Sequence, residues 1–128
     1  MSGWQQAALV ALGGAGGALA RSGVALASAR WTVTGALAGL PVGTWIANIA
    51  GCFLIGLALP FVPGRDPLRL LGVVGFLGGF TTFSSYSAEP LALLETGRVG
   101  WALVNALGSV AVGLVAAWAG WTLARTFA

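Results

Sequence analysis

The chain has no histidine or lysine, one cysteine, and three carboxylates among 128 residues. Each shortage excludes a chemistry. Without imidazole there is no histidine general base, no histidine metal site and no Ser–His triad. Without lysine there is no Schiff base. Cys52 alone cannot close an intramolecular disulfide or build a thiolate cluster. Asp66, Glu89 and Glu95 are too few for a carboxylate-rich metal cage. Catalysis has almost nothing to work with.

Charge of either sign is scarce. Charged residues make up 7% of the chain, against roughly 25% in an ordinary soluble domain. Hydrophobic residues reach 58%, glycine contributes 21 positions, and the mean hydropathy is +0.93. Six arginines and three acids cannot cover the surface of a soluble protein this small. The bilayer is therefore the solvent, and a soluble enzyme or a nucleic-acid binder is excluded. The isoelectric point near 10.6 reflects that small imbalance and no basic patch.

A helix needs about 20 mostly apolar residues to cross the hydrocarbon. Charge-free runs cover 4–20, 41–64, 70–88 and 101–124, and the first extends past Arg21 through 22–29. Charges gather between them at Arg30, at 65–69 and at 95–98. The pattern predicts an all-α membrane protein, one four-helix transmembrane domain over 1–128 with spans at about 4–29, 41–63, 70–94 and 101–124. Trp4, Trp31, Trp45, Trp101 and Trp121 fall near predicted ends, where an aromatic belt would place them. The stretch 32–40 is apolar but too short to span, and is expected at the interface. Ala27-Ser28-Ala29 looks like a cleavage site, yet no Lys or Arg precedes the first apolar run, so that run is expected to be a span and not a signal peptide.

Orientation is balanced. With both termini inside, Arg65, Arg69 and Arg125 face the cytoplasm, against Arg30, Arg98 and, near that helix end, Arg21. The positive-inside rule then has no preference. A chain that inserts both ways can form an antiparallel dimer about a two-fold axis in the membrane plane. Gly13/Gly17, Gly35/Gly39/Gly43 and Gly75/Gly79 have the small-xxx-small spacing that lets helix backbones approach closely. They are expected to pack helices within the chain, and a four-helix chain with such flat faces is expected to self-associate.

Polar groups inside spans are the default functional candidates. Thr44, Asn48 and Cys52 share one face of the second span, and Asn105, Ser109 and Gly113 one face of the fourth. Such stripes serve interhelical bonding or transport, and spacing alone leaves both open. The third span carries Phe80-Thr81-Thr82-Phe83-Ser84-Ser85-Tyr86-Ser87 near its middle, directly after Gly78-Gly79. A glycine pair is poor helix interior, so a broken helix is expected there. Freed carbonyls at a break coordinate a small cation, and the following helix N-terminus favours an anion. The lining on offer consists of donors: the Asn48 and Asn105 amides, hydroxyls including Thr82 and Ser84, and the electropositive edges of Phe83 and Tyr86. Arg21 adds a permanent cation. Donors with one cation suit a small, strongly hydrated anion. Glu89, one turn beyond Tyr86, is expected near a mouth of the path or paired with an arginine.

The run Gly78-Gly79-Phe80-Thr81-Thr82-Phe83-Ser84-Ser85-Tyr86 resembles the signature of the small bacterial fluoride channels of the Fluc/CrcB family. Two further blocks agree in order and spacing: Gly13-Gly14-Ala15-Gly16-Gly17-Ala18-Leu19-Ala20-Arg21, and Gly43-Thr44-Trp45-Ile46-Ala47-Asn48-Ile49-Ala50-Gly51. The resemblance covers essentially the whole chain. It implies an antiparallel dual-topology homodimer in the bacterial inner membrane, with the third helix broken mid-membrane and two fluoride pores. It further implies a structural sodium ion on the two-fold axis, held by the carbonyls of Gly78 and Thr81 of each copy. By position, Phe83 and Tyr86 match the pore phenylalanines, Asn48 the pore asparagine and Ser109 a pore serine. Arg21, Thr44 and Glu89 match vestibule or pore-mouth residues.

Two departures from the family stand out. Tyr86 stands where phenylalanine is usual, adding a hydroxyl within reach of an anion. The fourth-helix track, often Tyr and Ser, reads Asn105 and Gly113 around Ser109. The alternative from another class is a small dual-topology, proton-coupled multidrug antiporter. It would need a titratable carboxylate in the interior, and the only ionisable residue of the first span is Arg21. A non-transporting scaffold leaves the Thr-Thr-Phe-Ser-Ser-Tyr run unexplained.

Overall fold

A computed structural model describes residues 1–32 and 41–127. Their regular structure is helical throughout. The first helix is Gly3–Thr32; the second is Val42–Ala58, closed by a 3-10 turn at Leu59–Phe61. The third comes in two halves, 66–80 and Phe83–Glu95, and the fourth is Val99–Arg125. Four stretches are long and apolar enough to cross a membrane: Gly3–Trp31, Val42–Phe61, Asp66–Glu95 and Val99–Arg125. The chain is a multi-pass helical membrane protein. The interfacial segment expected at 32–40, with Gly35 and Gly39, falls almost wholly outside the described residues.

Turn chemistry sets the boundaries. Pro60 lies in the closing 3-10 turn, and Gly64 takes a φ of 73° that favours glycine. Asp66 and Pro67 then open the third helix, where a missing N–H costs nothing because first-turn amides have no helical partner. The same helix ends in a Schellman motif. Arg98 N–H bonds Leu93 O at 2.8 Å, Gly97 N–H bonds Leu94 O at 3.0 Å, and Gly97 adopts φ 74°.

Within the third helix, Arg69–Leu77 winds as a π-helix before one α turn at Gly78–Phe80. This half lies backbone-to-backbone on the first helix. A Cβ on Gly13 would stand 2.8 Å from Phe76 N, and one on Gly17 2.7 Å from Phe80 N. Cβ atoms on Gly75 and Gly79 would collide with the backbone of Gly13 and Gly14. The expected small-residue packing therefore holds for these pairs. A second such contact escaped the sequence reading: Gly56 and Gly120 seat the second helix on the fourth, and a Cβ on Gly120 would lie 2.9 Å from Leu57 N.

The interior is the reverse of a soluble core. The largest fully buried side chain is Asn105, and Ser28 and Ser109 are buried too. Leu12, Leu19, Leu26, Leu107 and Leu114 are each 68–77% exposed. Lipid tails are as apolar as leucine, so helices gain little by hiding leucine from them. Close glycine contacts and interhelical hydrogen bonds carry the association instead.

Candidate functional site

The third helix stops after Phe80. Thr81 (φ −82°, ψ 157°) and Thr82 (φ −146°, ψ 120°) are extended, and Phe83 starts the second half. The break thus falls on the two threonines, and the glycine pair before them stays helical. β-Branched threonine tolerates extended backbone well. Thr82 is also the N-cap of the second half: its Oγ1 accepts the Ser85 N–H at 3.2 Å.

Asn48 braces the break from the second helix. Its Oδ1 accepts the Thr82 N–H at 2.7 Å, and its Nδ2 donates to Thr82 O at 3.0 Å. In an unbroken helix the Thr82 amide would belong to Gly78 O, and the Ser85 amide to Thr81 O. Both amides are turned elsewhere, so the Gly78 and Thr81 carbonyls lose their helical donors. These are the two carbonyls the resemblance assigns to sodium, and neutral oxygens suit a hard cation. Among the described residues no group of three or more His, Cys, Asp or Glu side chains could hold a metal instead. Gly79 O accepts the Arg21 Nε–H at 3.1 Å. Arg21, expected near the end of the first span, stands well inside Gly3–Thr32 and reaches the break.

A groove of about 490 Å³ opens beside the break. Asn48, Gly78, Thr81, Thr82, Phe83, Tyr86 and Ser109 all line it, so most of the expected site residues meet in one place. From the two polar stripes Asn48, Cys52, Ser109 and Gly113 line it, with Cys52 against Gly113, while Thr44 and Asn105 do not. Phe83 is 78% exposed and its ring lies 5.4 Å from that of Tyr86, tilted by 35°. Ser84 is not in the groove lining; its hydroxyl lies 3.1 Å from Thr82 Oγ1. The Tyr86 hydroxyl donates to Ala106 O at 2.8 Å, crossing to the fourth helix.

Thr44 and Glu89 pair with each other away from the groove lining: Thr44 Oγ1 donates to Glu89 Oε1. Among the described residues no arginine pairs with Glu89, against one of the two expectations for it; the ion pair seen, Arg69 with Asp66, is on the surface. Trp45, expected in the aromatic belt, turns its indole inward and donates to Asn105 Oδ1 at 2.7 Å. Gly51, which closes the second matching block, had no role assigned to it, and the Thr81 methyl packs against it. Its position three residues after Asn48, on the same helical face, was the available signal.

An interrupted helix braced by an amide, set among hydroxyls and aromatic edges, is thus the polar centre of a small multi-pass membrane protein. A family model described as CrcB-like protein, Camphor Resistance (CrcB), matches residues 8–121. The chain is 46% identical over 121 residues to a protein of Solibacter usitatus, covering 91% of this chain and 96% of the relative. It is 50% identical over 119 residues to one of Thermus thermophilus, covering 90% and 91%. A protein of Phenylobacterium zucineum is 44% identical over 122 residues, covering 91% and 93%. All three relatives are named fluoride-specific ion channel FluC. The chain belongs to the CrcB family, whose members named here are channels and not enzymes.

Proposed function

We propose that this protein is a fluoride-selective channel through which cytoplasmic fluoride leaves the cell passively, conferring fluoride resistance. It works in the bacterial inner membrane as an antiparallel homodimer with two pores. The observation that carries this reading is the braced break in the third helix. There, amide, hydroxyl and ring-edge donors converge on a groove that has no carboxylate among its lining residues. Those donors solvate a small anion, and the carboxylates that usually line a cation path are absent from the lining.

Fluoride in this reading passes along Phe83, Tyr86, Thr82 and Ser109, with Ser84 near the path, Arg21 beside the break, and Thr44 and Glu89 toward the vestibules. Ring edges carry partial positive charge and give up no proton, so they solvate without trapping. Asn48 keeps its second amide proton after bonding Thr82 and can offer it to the anion. With Tyr86 O–H committed to Ala106, the ring edge is the part of that residue left to the path. Phe83, exposed on a single copy, is covered by the second. The Gly78 and Thr81 carbonyls of both copies would hold the sodium ion, at the depth of the break near the bilayer middle. When bound there, the ion supplies positive charge that offsets the anions beside it. Arg21 meanwhile fixes the adjoining carbonyl of Gly79.

No energy-coupling site is needed. Fluoride entering as neutral HF dissociates inside and is trapped as the anion. An inside-negative potential of ~100 mV is worth ~2.3 kcal/mol per charge, roughly fifty-fold in concentration. The test is efflux from proteoliposomes loaded with potassium fluoride or potassium chloride, triggered with valinomycin. Fast fluoride efflux without chloride efflux is expected. No fluoride efflux from a confirmed dimer overturns the reading and returns the multidrug antiporter and scaffold alternatives.

A further inference from the structure

Away from the groove, the second, third and fourth helices meet at a second polar cluster. Thr44 donates to Glu89 Oε1, and the next residue, Trp45, donates to Asn105 Oδ1 at 2.7 Å. Asn105 is 1% exposed. An indole N–H only donates, so the atom facing it must be the amide oxygen, and the NH2 of Asn105 must point the other way. The indole is itself lodged: a Cβ on Gly108, one turn from Asn105, would come within 2.9 Å of its Cη2. Two buried polar atoms of this cluster have no hydrogen-bond partner, Asn105 Nδ2 and Glu89 Oε2. One is a donor and the other an acceptor, and the bond from Tyr86 O–H to Ala106 O joins their two helices beside them.

We infer that Trp45 and Asn105 are positioning residues for Glu89: the indole fixes the amide's orientation, and the amide supplies the second donor to the carboxylate. Thr44 holds one oxygen and Asn105 the other. Buried donors and acceptors seldom stay unpaired, because each orphan carries its full desolvation cost. The functional consequence rests on the fluoride-channel reading above. A carboxylate free to swing toward the path repels the anion. One held through both oxygens stays aside with its charge partly offset.

Glu89 and Glu95 are the only glutamates, so protein made with side-chain 13C-glutamate has two carboxyl resonances, and Glu89→Gln assigns them. Asn105→Leu and Trp45→Phe should each move the Glu89 resonance and leave the exposed Glu95 in place. Each should lower fluoride efflux about tenfold, the effect of one hydrogen bond to a charged group. In a Glu89→Gln background neither should lower it further. Trp45→Phe keeps the ring's bulk and serves where Asn105→Leu does not fold. A Glu89 resonance unmoved in the folded variants overturns the inference, as do flux losses that persist after Glu89→Gln or shifts without any flux loss. If the unaltered protein passes no fluoride, the channel reading fails, while the resonances still decide whether the relay positions Glu89.

Discussion

Replacing Asn48 with leucine keeps nearly the same shape and removes both bonds to Thr82. The Thr82 N–H, bound at 2.7 Å, and its carbonyl, bound at 3.0 Å, are then left unpaired beside the groove. A fully buried orphan costs about 1–3 kcal/mol. Thr82 is half-buried and partly reachable through the groove, so the low end applies, about 2–3 kcal/mol for the pair. Hydrogen exchange reads that directly. The Thr82 amide should exchange about thirty- to 150-fold faster in Asn48→Leu, and fluoride efflux should fall at least about tenfold. Asn48→Asp separates the two bonds. Its carboxylate still accepts the N–H, so Thr82 stays protected, but it faces the Thr82 carbonyl with no donor and puts a negative charge in an anion path. A folded Asn48→Leu protein with native Thr82 protection and native efflux would refute the brace and its place in conduction.

Phe83→Ile should nearly abolish fluoride efflux while the dimer stays intact on size-exclusion chromatography, because isoleucine keeps an apolar side chain there and the ring supports little of the protomer's fold. Tyr86→Phe deletes the bond to Ala106 O and should cost about 1 kcal/mol of thermal stability, with fluoride efflux retained; complete loss would mean that the hydroxyl itself is required. Gly17→Val should prevent accumulation of folded protein in the membrane, because the added atoms fall on the backbone of Phe76 and Phe80. Gly97→Ala, at a φ of 74°, should lower stability by about 1 kcal/mol without touching selectivity, measured by thermal melting and efflux.

Much of the fold was legible because lipid imposes simple rules. With so few charges, the arginines other than Arg21 mark where spans end. The third-span run marked the site because five hydroxyls and three aromatics in hydrocarbon have no cheap structural explanation. The exact break was harder. Glycine looks like the weak point, yet Gly78 and Gly79 stay helical, and the bare backbone of Gly79 is used for contact with the first helix. Threonine supplies the extended residues and the N-cap, and that choice depends on Asn48 arriving to take the Thr82 amide.

Composition and the order of polar residues determined, by themselves, that the chain lives in a bilayer, crosses it with four apolar segments, and gathers its chemistry on the second, third and fourth. Only the tertiary structure decided who meets whom. Asn48 and Thr82 are 34 residues apart, Trp45 and Asn105 are 60, and Arg21 and Gly79 are 58. A helical face can be read from spacing, but its rotation against a neighbour follows from which glycines let two backbones touch. That rotation turned Trp45 from the belt to the interior and onto Asn105. The reason is physical: in lipid, specificity comes from close packing and paired polar atoms, and both are properties of two helices together.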